Sequence, residues 1–314
     1  LHLAKKGVII GICSKNNPND VNEVLKSHPD MILRDENIII KKINWNDKVS
    51  NLRNIAQDLN IGLDSLVFVD DASFEVELVK KELVSVEVFQ VPPREFEYGL
   101  MMRRIANLFY TPSRTEEDIL KSKMYKDQIK RFDEKNKSTD MVDYLASLGI
   151  SITVYTDNLS QLSRISQLTQ KTNQFNLTTK RYSESDIKRF ILDDDKIVIS
   201  IEVNDKFGSS GLTGLAILCK KTSKIDTLLL SCRVIGRNIE YKFINIIVDI
   251  AKKNKLKTLK ACYVKTHKNP QVEDFYDKCG FDVVNKVNNH SMYSLKMHYF
   301  KYKDIKYIKE RDGR

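Results

Sequence analysis

The sequence predicts an α/β protein in two parts: a parallel-sheet unit at residues 1–92 and a mixed α+β unit at 150–298. Helices at 93–149 would join them, with a tail at 299–314. Three observations predict this. Continuous apolar runs alternate with helical patterns over residues 1–92, as in strands crossed over by helices and buried on both faces. Residues 94–148 are highly charged and helical in pattern. From Ile150 the order changes to a set of strands and then two helix–strand units.

Each element has a local cause. Leu1 to Gly7 reads as the last turns of a helix closed by a glycine C-cap. Val8-Ile9-Ile10-Gly11-Ile12-Cys13 is a strand. Asn17 and Pro18 are N-cap and first residue of a helix carrying Val21, Val24 and Leu25. A second helix follows Trp45, with Val49, Leu52, Ile55, Ala56 and Leu59 on one face, and Gly62 stops it. Leu66-Val67-Phe68-Val69 is a further strand, running into Asp70-Asp71. Val91-Pro92-Pro93 ends the unit. Glu116 to Arg131 is the clearest helix of the charged stretch, opened by Thr115 as N-cap. Beyond it come helices near 158–171 and 183–192. Strands follow at Ile197–Val203, Gly214–Cys219 and Thr227–Cys232. A helix at 239–254, a strand at Thr258–Val264, a short helix at 270–278 and a strand near 291–297 complete the pattern.

Composition narrows the function classes. The 314 residues carry 52 basic and 42 acidic side chains, a net charge of +10, with 41% hydrophobic residues. No apolar run reaches the ~20 residues needed to cross a bilayer, so no membrane partner is expected. Lysines alternate with acids, as in Lys80-Lys81-Glu82, and form no basic stripe of the kind nucleic-acid readers show. Cys13, Cys219, Cys232, Cys262 and Cys279 form no C-x-x-C pair, which fits a reducing cytoplasm.

Brändén's rule places ligands at the carboxyl ends of strands in open α/β sheets. Ser14 follows the strand ending at Cys13, and its hydroxyl suits a phosphate oxygen. Lys48 lies in the first turn of the second helix, where an ammonium neutralises phosphoryl charge. Asp70 and Asp71 end a strand, and carboxylates there suit Mg²⁺, which takes one or two carboxylates plus waters and phosphates. Cys13 has two readings. It is either a small buried strand residue, the preferred one, or a thiolate activated by Lys15 and a helix N-terminus.

The order strand–Ser, helix–Lys, strand–Asp-Asp resembles motifs two to four of the haloacid dehalogenase (HAD) superfamily. The strings Ile12-Cys13-Ser14-Lys15-Asn16-Asn17 and Phe68-Val69-Asp70-Asp71 resemble the FkbH-like (HAD-IIIC) family, linked to making glyceryl or methoxymalonyl units on acyl carrier proteins. The resemblance implies that Ser14 and Lys48 hold the phosphoryl group and that Asp70, with Asp71 second, binds Mg²⁺. The family's first motif, Asp-x-Asp-x-Thr with its nucleophile, would precede Leu1. Residue 1 is therefore expected to be an internal position of a longer protein, with this piece lacking phosphoryl transfer. Asp193-Asp194-Asp195 reads instead as a solvated turn between helix and strand.

In the second part, a strand ending in Cys232 leads through Arg233-Val234-Ile235-Gly236-Arg237-Asn238 into a helix. Such a turn presents free N–H groups to an anion. With Asn269-Pro270-Gln271-Val272-Glu273-Asp274-Phe275-Tyr276 and Gly280-Phe281, it resembles the GNAT acetyltransferases. That implies pyrophosphate on the backbone of Val234–Asn238 with charge from Arg233 and Arg237. It also implies a pantetheine contact at Asn269 and Tyr276 as the acid that protonates a thiolate. Coenzyme A, acetyl-CoA or a phosphopantetheine would be the cofactor. Asn173, Gln174 and Asn176 either line an acceptor pocket or belong to a loop whose amides cap neighbouring helices.

The expected function is a Mg²⁺-dependent phosphatase and acyltransferase, loading a small phosphorylated acid onto the thiol of an acidic carrier protein or of coenzyme A. Two alternatives stand beside it. One is a GNAT N-acyltransferase on an inactive HAD scaffold, acting for instance in surface-polysaccharide synthesis. The other is a carrier-docking module without catalysis.

Overall fold

The computed structural model describes residues 1–110 and 116–313. The expected cap Thr115 lies outside the described residues. The chain forms two compact units, Leu1–Asp133 and Glu134–Arg314. It is a mixed α/β protein with parallel strand pairs in the first unit and a large mixed sheet in the second.

Unit 1 runs α1 (His2–Lys5), β1 (Ile10–Ser14), α2 (Pro18–Ser27), β2 (Ile38–Ile43), α3 (Lys48–Leu59), β3 (Val67–Asp70), α4 (Ser73–Glu82), β4 (Glu87–Gln90) and α5 (Tyr98–Leu108); α6 (Glu116–Lys137) follows. The local signals act as read. Gly7 takes φ 81° after α1, and the Asn17 side chain accepts from the Asn19 N–H to cap α2. Asp47 caps α3 through the Ser50 N–H, and Asn60 ends it in the left-handed region.

The expected single sheet is here two parallel pairs, β1–β2 and β3–β4, not hydrogen-bonded to each other among the described residues. Burial on both faces is also corrected. Ile10, Ile12 and Cys13 are half-buried and Val69 is exposed, because each strand has a partner on one edge. Apolar α3 covers them: Val49, Leu52, Ile55 and Leu59 pack with Ile39, Ile40 and Phe68. Strand β2, with its run Ile38-Ile39-Ile40, carried a signal that the sequence reading passed over.

Unit 2 runs α7 (Met141–Ser147), β5 (Ser151–Thr156), α8 (Leu162–Lys171), β6 (Phe175–Asn176), α9 (Glu184–Ile191), β7 (Lys196–Asp205), β8 (Gly208–Cys219) and β9 (Lys224–Leu230). It continues with α10 (Ile239–Lys253), β10 (Thr258–Val264), α11 (Phe275–Lys278), β11 (Asp282–Val287), β12 (His290–Lys296) and β13 (Lys309–Asp312). Its sheet has the order β11-β12-β10-β9-β8-β7-β5-β13, with β6 attached to β9. Both faces are covered. Ile197, Ile199 and Ile201 of β7 join Leu228 and Leu230 of β9 on one face; Val198, Leu215, Ile217 and Leu229 pack with α8 and α9 on the other. That explains why Leu228-Leu229-Leu230 is apolar without alternation.

Residues 299–314, set apart in the sequence as a tail, supply β13, an edge strand parallel to β5. Asp193 and Asp195 lie in the turn between α9 and β7, where the Asp195 N–H bonds the Asp193 carboxylate at 2.9 Å. No described helix is long and apolar enough to cross a membrane.

Candidate functional site

Unit 1 gathers its polar groups at the carboxyl ends of β1 and β3. Lys48, the first residue of α3, is buried at 7% exposure. Its ammonium donates to the Cys13 carbonyl at 2.7 Å and pairs with the Asp70 carboxylate at 3.1 Å. One cation thus ties the rims of two strand pairs together. The Asp47 cap and the apolar face of α3 hold Lys48 there. The other Asp70 oxygen accepts the Ala72 N–H at 2.9 Å, an Asx turn that starts α4. Ser14 ends β1 half-buried, and its hydroxyl has no hydrogen-bond partner among the described residues. Asp71 is exposed.

The sequence reading missed Glu75. It is 8% exposed, one oxygen pairs with Lys15, and the other is buried with no hydrogen-bond partner among the described residues. A glutamate in the first turn of a helix looks like an ordinary dipole partner; only the fold turns it toward Lys15.

The surroundings of Cys13 disfavour a thiolate. Burial raises its thiol from 9.0 to about 11, a push that Lys48 only partly offsets. The strand-residue reading holds for it.

No group of three or more His, Cys, Asp or Glu side chains is assembled for a metal among the described residues. Magnesium does not need such a cage. Asp70, with Asp71 next to it in the chain, would supply the one or two carboxylates that a Mg²⁺ completed by waters and phosphate takes.

In unit 2 the turn after β9 has Gly236 at φ 82° and Asn238 at φ 59°, a conformation asparagine tolerates better than most residues. The Asn238 amide donates to the Tyr307 hydroxyl at 2.7 Å. Val234 and Ile235 already spend their N–H groups on Ser231 and Cys232. Arg237 does not serve an anion as expected: its guanidinium pairs with the buried Asp205 at 2.8 Å and donates to the Arg233 carbonyl. Arg233 is buried and bonds Ser231.

Asn269 departs further from expectation. It is fully buried, donating to the Asn176 and Val264 carbonyls, each at 2.9 Å, and accepting from Thr266 at 2.7 Å. Nothing of its amide is left for a pantetheine arm. Asn173 accepts from Arg181, while Asn176 bonds Thr172, Thr178 and Thr179. Gln174 sits half-buried in the same loop. Asn173 and Asn176 thus bond within their own segment and to Thr172, the C-cap of α8. Tyr276 is 1% exposed among Phe275, Phe281 and Tyr293. Its hydroxyl has no hydrogen-bond partner among the described residues, and burial pushes it well above 10. It is a core residue here.

A cavity of about 160 Å³ lies at the start of α10, lined by Phe175, Glu240, Tyr241, Val272, Phe275 and Lys278 among others. One Glu240 oxygen is buried without a partner, and burial raises its carboxyl above the usual range.

No family model matches the chain, and no curated protein matches it. Solved structures do. The N-terminal part of protein BF1531 from Bacteroides fragilis, containing a phosphatase domain complexed with Mg, is 38% identical with a TM-score of 0.34. That match covers 36% of this chain and 30% of that one, so the present chain spans under a third of it. Spermidine N-acetyltransferase from Vibrio cholerae, in complex with CoA and spermine, is 15% identical over 47% of this chain and 96% of that one, with a TM-score of 0.36. An N-acetyltransferase from Staphylococcus aureus Mu50 is 15% identical over 47% and 98%, with a TM-score of 0.33.

Proposed function

We propose that unit 1 binds the phosphoryl group of a small phosphorylated acid for Mg²⁺-dependent transfer. Its acyl part would pass to a phosphopantetheine thiol on an acidic carrier protein, as the FkbH-like motifs imply. One observation carries the reading: the Lys48 ammonium is fixed between the Cys13 carbonyl and the Asp70 carboxylate at the rim of two strand pairs.

Phosphoryl transfer asks a protein for positioning and charge neutralisation. An ammonium has three donors. One is spent on the Cys13 carbonyl and the Asp70 carboxylate pairs with the same ammonium, which leaves a donor for a phosphoryl oxygen. The unpartnered Ser14 hydroxyl would hold a second oxygen. Mg²⁺ on Asp70 and Asp71 would neutralise the remaining phosphoryl charge. The net charge of +10 would draw an acidic carrier by long-range attraction and make that encounter salt-sensitive.

The test is calorimetric titration of inorganic phosphate in the presence of Mg²⁺. Lys48→Met should weaken binding at least about tenfold, which is about 1.4 kcal/mol; Lys48→Arg should restore part of it and Ser14→Ala should weaken it less. Equal phosphate affinity in wild type and Lys48→Met would remove the basis of the proposal. Far-ultraviolet circular dichroism checks that each variant is folded.

A further inference from the structure

Two parallel strands that diverge leave N–H and C=O groups unpaired on their facing edges. Those groups need a partner. An extended, amide-bearing ligand arm can supply one by lying in as an extra strand. In unit 2, β9 and β10 are in register only at Lys260↔Lys224, near the start of each strand. The pantetheine contact implied for Asn269 would fall in the opening beyond that pair.

The chain itself fills the opening. Residues Phe175 and Asn176 pair antiparallel with Leu230 and Leu229 of β9. The Leu177 N–H donates to the Leu228 carbonyl at 3.1 Å, and the Leu177 carbonyl accepts the Val264 N–H of β10 at 2.8 Å. A single segment therefore bridges both diverging strands. It is packed as core: Asn176 and Leu177 are 0% exposed and Phe175 4%. Asn269 clamps it from the β10 side by donating to both Asn176 and Val264.

An independent observation concerns charge. The helix start that would cradle a diphosphate has its arginine committed to Asp205. The adjacent cavity is lined by Glu240, whose buried oxygen has no partner among the described residues. The same cavity is lined by Asp274, which already pairs with the lining Lys278 at 2.8 Å, so the lining offers a diphosphate little positive charge.

We propose that the opening between β9 and β10 is sealed by the chain's own segment 175–177, and that unit 2 takes no coenzyme A thioester there. The short strand stands in permanently for a ligand arm. N-acyl transfer from coenzyme A thereby loses its cofactor site, and an acceptor thiol must be served outside this opening. This goes beyond the phosphoryl-transfer proposal, and phosphate binding at Lys48 is unaffected by its outcome.

The test is calorimetric titration of coenzyme A into the full chain, with amide hydrogen exchange on the same samples. No saturable binding tighter than about 1 mM is expected. The Leu177 and Val264 amides should exchange as slowly as that of Ile217 in β8, with or without coenzyme A. Asn269→Ala should speed exchange at Leu177 and Val264 while Ile217 stays protected, which reports that the variant is folded. Micromolar binding of coenzyme A by the wild-type chain overturns the proposal. So does fast exchange at Leu177 and Val264 in the wild type, which would make the segment a displaceable gate.

Discussion

The two units place parallel strand ends beside helix starts, yet they treat the polar groups there in opposite ways. In unit 1 a buried lysine is held by two partners with a donor to spare, a serine hydroxyl is unpartnered, and a glutamate oxygen is orphaned. In unit 2 the arginine, the asparagines and the strand edges at the equivalent place are turned inward and satisfied, though a Glu240 oxygen at the start of α10 is orphaned as well. A polar residue at a strand end is thus not a site by position alone. What matters is whether its hydrogen-bonding capacity is used up by the fold. Unit 1 keeps capacity in reserve, and unit 2 has spent most of it on closing its own sheet.

That contrast can be broken by measurement. The largest effect is expected at Lys48. Removing its charge leaves the largely covered Asp70 carboxylate without a counter-charge, so Lys48→Met should cost about 3–5 kcal/mol in unit 1, read from amide hydrogen exchange of the unit 1 strands. A loss under about 1 kcal/mol would mean that the pair is solvated and the rim loosely held. Next comes Asn269. Asn269→Ala orphans buried groups in unit 2 and should cost about 1–3 kcal/mol, read from exchange of the core amides. Little or no loss would show that unit 2 is not closed by this side chain.

A smaller effect is expected at Cys13. Its thiol is raised in the folded protein from 9.0 to about 11. A raised acid of this kind contributes stability that is fully present below pH 9 and is lost as pH rises through about 11. Wild type should therefore lose stability relative to Cys13→Ala across that window. Parallel pH curves for the two proteins would instead mean that the thiol is as solvated folded as unfolded. The smallest effect is Tyr276→Phe. Deleting a buried hydroxyl without a partner should change stability by under about 1 kcal/mol, and in the stabilising direction. A loss above about 2 kcal/mol would reveal a partner for that hydroxyl and place Tyr276 with the active groups rather than the core.

Much of unit 1 was legible because its signals are local. The apolar run before Ser14, the Asn17-Pro18 start of α2 and the one-sided face of α3 are patterns within a dozen residues. Two of the residues read in order along the chain, Lys48 and Asp70, pair in the structure. Cys13 was read correctly as a strand residue, but its half-exposure was not, since that depends on which edge finds a partner. In unit 2 the turn into α10 was legible, whereas Arg237 looked available to an anion. Its partner Asp205 lies 32 residues away, and no local pattern joins the two. Strand β6 has only two residues, too short for any periodicity to show. The strand β13 is Lys-Glu-Arg-Asp and fully exposed, so it carries no apolar signal at all.

By itself the sequence determined the order of strands and helices, the caps and stops of the main helices, and which residue types stand at the strand ends. These follow from side-chain periodicity and backbone preference, which act over a few residues. Only the tertiary structure decided which polar groups remain open. Lys48 meets the Cys13 carbonyl across 35 residues, and Asn269 meets Asn176 across 93. Whether a buried donor is spent or spare depends on such distant partners, because burial forces every polar group to find one wherever the fold brings it.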